Sequence, residues 1–92
     1  MSFYLKDPDA RVDYSIDWTA YLSGPTIVAS TWTVAPDEEG GIAVAESSFE
    51  TLRTAARLTG GVIGHSYTIS NLVTLSDDSI DARSIALRVE ER

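Results

Sequence analysis

Few side chains in this sequence could carry out acid–base or nucleophilic chemistry. The only histidine, His65, stands between Gly64 and Ser66 at the start of an alternating run. Adjacent residues of a strand point to opposite faces of a sheet, so His65 and Ser66 cannot form a base and its nucleophile. The sequence therefore predicts a surface or capping histidine, and it predicts that the protein is not an enzyme.

Acidic residues are plentiful, but their spacing defines neither a catalytic pair nor a metal site. Asp13 and Asp17 share one face of a predicted strand at a separation of about 13 Å, which is too far for the carboxyl pair of a glycosidase. Asp77, Asp78 and Asp81 crowd a turn, but they lack the order of an EF-hand loop and its distal glutamate. Aspartate favours such turns without metal, because its carboxylate bonds the nearby backbone. We therefore expect no metal and no cofactor.

Length and composition predict a single domain spanning residues 1–92. Of these residues 43% are hydrophobic, which is enough for one modest core. The absence of cysteine excludes disulfides and thiolate metal sites. The formal net charge of −7 repels phosphate backbones, so nucleic acid is not expected as a partner. There is no apolar run of about 18 residues and no signal-peptide layout, so no membrane association is expected.

An alternating run near the start of the chain predicts a half-buried strand. Val12, Tyr14, Ile16 and Trp18 fall on one face, and polar residues fall on the other. The preceding Lys-Asp-Pro-Asp, residues 6–9, contains a proline, which fixes φ and cannot donate a backbone hydrogen bond. The pattern therefore predicts a corner that leads into the strand.

Similar runs recur about every ten residues with turn residues between them, which is typical of a β-sandwich. The further runs are residues 26–34, 42–49, 65–75 and 82–90, and the predicted turns are residues 22–26, 35–41 and 76–81. Residues 35–41 are interpreted as a polar hairpin loop. The sequence predicts an all-β fold, an Ig-like antiparallel β-sandwich of six to seven strands. One core is expected to contain Trp18, Trp32, Tyr67, Ile69, Ile85 and Leu87.

Two segments leave a choice open. In the strand at residues 26–34, Val28, Trp32 and Val34 are expected to face inward, and the opposite parity of Ile27 indicates a bulge. Residues 47–58 begin with a capping-box spacing that favours a helix, but they continue with an alternation that favours a strand. A sandwich of this length needs a strand there to cover its second sheet, so the strand is preferred.

Two polar residues on the inward face of the run at 65–75 are expected to have structural roles. Tyr67 is placed as in the tyrosine corner of Ig-like sandwiches, whose hydroxyl bonds the upstream backbone. Asn71 shares the parity of Tyr67, and a buried amide must find hydrogen-bond partners. We expect Asn71 to pin the backbone of a neighbouring loop rather than to bind a ligand; the alternative is that the strand phase slips at a bulge and leaves Asn71 exposed.

Five short motifs occur in one order along most of the chain. They are Lys-Asp-Pro-Asp (6–9), Val-Asp-Tyr-Ser-Ile-Asp-Trp (12–18), Ser-Thr-Trp-Thr-Val (30–34), Ser-Tyr-Thr-Ile-Ser-Asn (66–71) and Arg-Ser-Ile-Ala-Leu-Arg-Val (83–89). In this order they resemble the phage fibre–tail adaptor proteins, small Ig-like β-sandwiches of tailed phages and prophages. The resemblance implies a non-enzymatic virion structural protein that links the tail to fibre or neighbouring tail proteins. It also implies several copies in the virion tail, assembled after synthesis in the cytoplasm of the bacterial host.

The apolar segment Phe3, Tyr4 and Leu5 precedes the first corner and is the candidate docking segment. The alternative is that it packs onto its own sandwich as an extra edge strand. A competing function is a free-standing Ig-like module that binds a carbohydrate or host-surface ligand. Such a module would use exposed aromatic rings, and Tyr4 and Tyr21 are the ones that periodicity does not assign to a core.

Overall fold

The computed structural model describes the backbone of residues 2–7, 9–19 and 24–90, and the side chains of these residues from Leu5 onward. Within these ranges seven strands form. They are β1 (Ser2–Lys6), β2 (Val12–Asp17), β3 (Ile27–Ala35), β4 (Ile42–Phe49), β5 (Arg53–Gly60), β6 (Ser66–Leu75) and β7 (Ile80–Val89). The described part of the chain contains no helix long and apolar enough to cross a membrane.

The strands form two sheets. Four strands have the order β1-β7-β6-β3, and three have the order β2-β5-β4. Neighbouring strands are antiparallel, except that β1 lies parallel to β7. The predicted all-β sandwich is therefore confirmed, with one parallel edge pair added, while the finer Ig-like assignment stays a prediction.

Strict alternation along β6 shows why this sequence forms strands. Its inward residues Tyr67, Ile69, Asn71, Val73 and Leu75 are at most 6% exposed. The residues between them are polar or exposed, so each strand buries one face and leaves the other to solvent. Burial of these side chains between the two sheets is what orders the strands.

The buried apolar residues form two clusters, not the single core expected from the sequence. The larger cluster comprises Ile42, Ala56, Leu58, Tyr67, Ile69, Leu87 and Val89, with Trp32 and Ile85 packed against it. Trp18 belongs instead to a smaller cluster with Ile27, Val73 and Leu75. The prediction was wrong for Trp18 because strand parity gives the face of a residue but not its height along the sandwich.

A buried polar group lies at Asn71, between Ile69 of the larger cluster and Val73 of the smaller one. The Asn71 Oδ1 atom accepts a hydrogen bond from Thr54 Oγ1 at 2.6 Å, and Thr54 accepts one from Trp18 Nε1 at 3.1 Å. Both Thr54 and Asn71 are completely buried. The amide thus joins β6 to β5 of the opposite sheet.

The same amide also fixes β3. Its Nδ2 atom donates to Ser30 Oγ at 2.8 Å and to the Thr31 carbonyl at 3.2 Å. Asn71 is buried and pins backbone as expected, but this backbone belongs to strand β3 and not to a loop. Because every polar atom of the buried amide is paired, its burial carries no desolvation penalty for a missing partner.

The predicted bulge in β3 is present, but the residue assigned to the interior was wrong. The register of β3 against β6 shifts between Ile27 and Ala29. The bulge reverses the phase of the strand start, so Ile27 is buried and Val28 is 53% exposed. Trp32 and Val34, beyond the bulge, pack against the larger cluster as expected.

Residues 35–41 do not close a hairpin, which corrects the interpretation from sequence. They leave β3 in the four-stranded sheet and enter β4 in the three-stranded one. Pro and Gly residues indicate a turn, but the pattern does not say whether the two strands pair with each other. Hairpin and crossover differ only in the sheet that the second strand joins.

The ambiguous segment 47–58 is extended, as preferred. Residues 47–49 finish β4, and β5 begins at Arg53 after a short turn. The carbonyls of Thr51 and Leu52 in that turn accept hydrogen bonds from the backbone of Ile27 and Trp18, each at 2.8 Å. Tertiary pairing therefore overrides the helical tendency of the sequence.

Replacing Asn71 with alanine tests the hydrogen-bond network. We expect the free energy of unfolding to fall by about 3 kcal/mol, because Thr54 and Ser30 lose buried partners. Urea denaturation measures the loss. Ser66→Ala, on the exposed face of the same strand, is the control and should cost less than about 1 kcal/mol. Equal losses for the two variants would show that the network does not stabilise the sandwich.

Candidate functional site

The candidate docking segment forms the edge strand β1, which is the alternative that the sequence left open. Its backbone pairs with β7, with Phe3 beside Ala86 and Leu5 beside Arg88. Leu5 is 48% exposed, a high value for a leucine within a sheet. The side chains of Phe3 and Tyr4 lie outside the described part of the structure. A docking role for the three residues stays a prediction.

Lys6 ends β1 and joins it to the opposite sheet. Its side chain is 1% exposed, and its ammonium group donates to the carbonyls of Gly60 at 2.7 Å and Asp7 at 2.9 Å. Its own backbone carbonyl accepts a hydrogen bond from Glu90 at 2.9 Å. Burial lowers the pKa of Lys6, although the charges of Asp7 and Asp9 act against this shift.

We call this end of the sandwich the clasp end. It comprises Lys6 and the two loops of residues 36–41 and 61–65. The Gly61 amide donates to the Gly40 carbonyl at 3.1 Å and so joins the two loops. Gly61 has a φ of +116°, and a Cβ atom there would lie 2.5 Å from Val89 Cγ2. Only glycine fits this position without displacing its neighbours.

A polar cluster of Glu38, His65 and Tyr67 fastens the two loops. The Tyr67 hydroxyl accepts a hydrogen bond from the Val62 amide at 3.0 Å and donates to Glu38 Oε1. The His65 Nδ1 atom lies 2.8 Å from the same carboxylate oxygen. The predicted tyrosine corner is thereby confirmed, and it extends to a second loop. The arrangement stabilises the end of the sandwich.

The hydroxyl of Tyr67 and the ring of His65 hold the pKa of Glu38 below its ordinary value of 4.5. In turn, burial raises the pKa of Tyr67, and the bond to the Glu38 carboxylate adds to this rise. Both shifts favour an ionised carboxylate facing a neutral phenol. His65 is exposed and points to this carboxylate, where it caps the loop.

The two strand aspartates considered for catalysis lie on the outer face of the three-stranded sheet. Asp13 pairs with Arg57, whose Nε atom lies 2.8 Å from Asp13 Oδ1. Asp17 Oδ1 accepts hydrogen bonds from the amide and hydroxyl of Thr19, at 2.9 and 2.6 Å. The structure does not bring the two carboxylates together, since each is held by its own partner.

An open cleft of about 220 Å³ lies beside Arg57 on this face. Its lining includes Asp13 and Glu46, and both carboxylates contact the Arg57 guanidinium, with Glu46 Oε2 at 3.6 Å from Nη1. Small-molecule pockets are usually larger, about 300 Å³ or more, and mostly apolar. The charged side chains that line this cleft therefore pair with one another instead of being left for a ligand.

The acidic turn between β6 and β7 is ordered by its own hydrogen bonds. Asp77 Oδ1 accepts a bond from the Ser79 amide at 3.0 Å, and Asp78 adopts a positive φ of 68°. Across the described residues, no group of three or more His, Cys, Asp or Glu side chains is placed to hold a metal ion. Hydrogen bonds between aspartate side chains and the local backbone are sufficient to explain the aspartates in this turn.

Sequence patterns could not reveal Lys6 and Glu38 as members of the clasp end. Local patterns place Lys6 in a polar corner and Glu38 among several acidic residues of a loop. Their partners Gly60 and Tyr67 lie 54 and 29 positions away in the sequence. Tyr21, the aromatic residue proposed for a sugar site, lies outside the described residues, as does the side chain of Tyr4.

The clasp end should make stability depend on pH through Glu38. A carboxyl group whose pKa is lowered on folding stabilises the native state above its unfolded pKa, and this contribution is lost as the pH falls through the folded pKa. We therefore expect Glu38→Gln to unfold more readily than the wild type at pH 7. The difference should disappear below the lowered pKa of Glu38, as measured by urea denaturation at a series of pH values.

Glu39→Gln is the matched control, because it removes the same charge from the exposed neighbouring residue. Its effect on the free energy of unfolding should be small at every pH. A difference between Glu38→Gln and the wild type that persists unchanged at pH 3 would contradict the assignment to the ionised carboxylate.

One family model matches this chain, and its description is podophage GP4 fiber-tail adaptor protein gp77. The match covers residues 6–88 of the 92 residues. A search of curated proteins finds no match. The matched range includes the buried Lys6, the clasp end and nearly all of both sheets. The chain belongs to the family of the podophage GP4 fiber-tail adaptor protein gp77.

Proposed function

We propose that this protein is a non-enzymatic structural part of a phage virion, where it links the tail to fibre or neighbouring tail proteins. The family match over residues 6–88 carries the proposal. An adaptor of this kind acts in several copies in the virion tail, after synthesis in the cytoplasm of the host. Its work is to present surfaces at fixed positions, for which a small hydrogen-bonded sandwich is well suited.

The distribution of interactions in the sandwich supports a docking function over catalysis. Buried polar atoms of Lys6, Thr54 and Asn71 contact other groups of the chain and hold strands in place. The exposed His65 is bonded to Glu38. These polar groups stabilise the fold, and the surfaces left for partners are strand edges and sheet faces.

Strand β1 is the proposed docking segment because it forms one edge of the four-stranded sheet. An edge strand offers unpaired backbone groups on one side, to which an extended partner segment can add. Leu5 adds exposed apolar surface beside this edge. The Lys6 side chain fixes the end of the strand, so the edge is held in a defined position.

Loss of the gene from its phage tests the adaptor function. We expect particles that have tails but lack fibres, and we expect the gene supplied in trans to restore them, as seen by electron microscopy of purified virions. Normal, fully fibred and infectious particles without this protein would contradict the proposal. Binding to a purified glycan or to host cells by the isolated protein, with normal particles, would favour the carbohydrate-binding alternative.

The docking segment is tested by deleting residues 1–5, with a new start methionine placed before Lys6. We expect incorporation into particles to fall several-fold, which is a larger effect than the accompanying drop in melting temperature, because Lys6 and its buried contacts remain. A quantitative comparison of the protein in purified virions with thermal unfolding of the isolated chain measures both effects.

Point variants separate docking from folding. Leu5→Asp should reduce incorporation, whereas Leu52→Asp, at a comparably exposed leucine on the opposite end of the sandwich, should not.

A truncated protein that assembles normally, or one that is unfolded when isolated, would show that the segment has no docking role of its own.

A further inference from the structure

The outer face of the four-stranded sheet is almost free of charge. Strand register places its side chains in cross-strand rows that we call the hydroxyl face. The rows are Ala29, Thr74 and Ile80; Thr31, Leu72 and Ala82; Thr33, Ser70 and Ser84; Ala35, Thr68 and Ala86; and Ser66, Arg88 and Leu5. Among these described side chains Arg88 carries the only charge, and Glu90 is ion-paired with it.

This composition contrasts with the rest of the molecule. The chain has 14 acidic residues, and none of those that the structure describes stands in the rows of the hydroxyl face, at whose end Glu90 contacts Arg88. The outer face of the three-stranded sheet, by comparison, bears Asp13, Asp17 and Arg57 on adjacent strands. A solvated sheet face normally carries charged residues, which also prevent association with other proteins. Their exclusion from one whole face indicates a surface that is covered.

Serine and threonine provide most of the polar groups on the hydroxyl face. Their hydroxyl groups both donate and accept hydrogen bonds, as Ser70 and Ser84 do across the centre of the face, with 2.7 Å between their Oγ atoms. Exposed apolar side chains lie beside them, with Leu72 43% and Ile80 64% exposed. Small side chains leave the face flat, so another sheet can approach it closely.

We propose that the hydroxyl face binds the hydroxyl face of a second copy of this chain. Groups that both donate and accept hydrogen bonds are complementary to themselves, as an interface between two identical surfaces requires. Each copy has a net charge of −7, so two copies repel each other, and the repulsion is weakest where they meet through a surface without acidic residues. The hydroxyl face meets this condition, whereas the face bearing Asp13 and Asp17 does not.

The size of the face agrees with a weak dimer. Three strands of nine or ten residues, with β1 beside one end, project over roughly 500 Å² at ordinary strand rise and spacing. Two such faces bury about 1,000 Å², which is at the lower limit for a specific interface. Charge repulsion weakens the pair further, and salt relieves it. Pairing needs no tail protein, so it does not depend on the proposed function.

Sedimentation equilibrium of the purified chain over increasing concentration tests the pairing. We expect the apparent mass to rise from that of one chain towards that of two near millimolar concentration. The rise should begin at lower concentration when the salt is increased from about 0.05 to 0.5 M, because salt screens the repulsion between two acidic copies. If the two copies associated instead through oppositely charged groups, added salt would weaken the association, and the rise in mass would begin at higher concentration.

Leu72→Glu places a charge at the centre of the hydroxyl face and should lower the association constant at least tenfold. Ser15→Glu is the matched control, because it adds the same charge on an exposed strand position of the other sheet. A mixture of Leu72→Glu and Leu72→Lys should associate more strongly than either variant alone.

Three results would overturn the proposal. One is a wild type that keeps the mass of a single chain at about millimolar concentration in high salt. Another is an equal loss of association in Leu72→Glu and Ser15→Glu. The third is a monomeric wild type whose incorporation into virions is abolished by Leu72→Glu, which would assign the face to a different tail protein.

Discussion

The buried amide of Asn71 is the interaction that sets the arrangement of the two sheets. It lies in β6, accepts a hydrogen bond from Thr54 of the facing sheet, and donates to Ser30 and to the Thr31 backbone of β3. A hydrophobic contact tolerates sliding, but a hydrogen bond requires a defined distance and angle. The amide therefore fixes which residues of the two sheets face each other. Through Thr54 it also fixes Trp18, whose ring belongs to the smaller cluster.

At the clasp end, hydrogen bonds fix the positions of the loops, as those of Asn71 fix the two sheets. Lys6, Glu38 and Tyr67 come from three distant parts of the sequence, and each makes a hydrogen bond that crosses from one loop or sheet to another. Loops at the end of a sandwich are usually its most mobile part, because few contacts hold them. Here buried or partly buried polar groups fasten them. Such rigidity would favour the adaptor function that we propose, since less ordering is needed on binding.

Charge is distributed unevenly over this sandwich. Most of the acidic residues that the structure describes lie in turns and loops or on the outer face of the three-stranded sheet, where Arg57 contacts Asp13 and Glu46. The four-stranded sheet shows solvent a flat face of hydroxyl and small apolar groups. Unlike a cleft, such a face cannot select a small ligand by shape, but it can match another flat protein surface. This division agrees with the adaptor function that we propose for the chain.

The sequence by itself determined the strands and the faces of most of their residues. Alternation at Val12, Tyr14 and Ile16, and again from Tyr67 to Leu75, is a local property that follows from the period of two in a strand. The same local logic identified Tyr67 and Asn71 as inward polar groups that need partners. The order of five motifs also indicated the family that the match over residues 6–88 shows.

Only the tertiary structure decided how the strands are distributed and which residues meet. Residues 35–41 could have closed a hairpin, but they cross between sheets, because the partner of β4 is β5. The bulge at Ile27 and Ala29 reversed the expected burial of Val28, since one inserted residue changes the phase of everything before it. The contacts of Lys6 with Gly60, and of Glu38 with Tyr67, join residues 54 and 29 positions apart. Local patterns contain no information on contacts between residues so far apart in the sequence. These contacts form only when one sheet packs against the other.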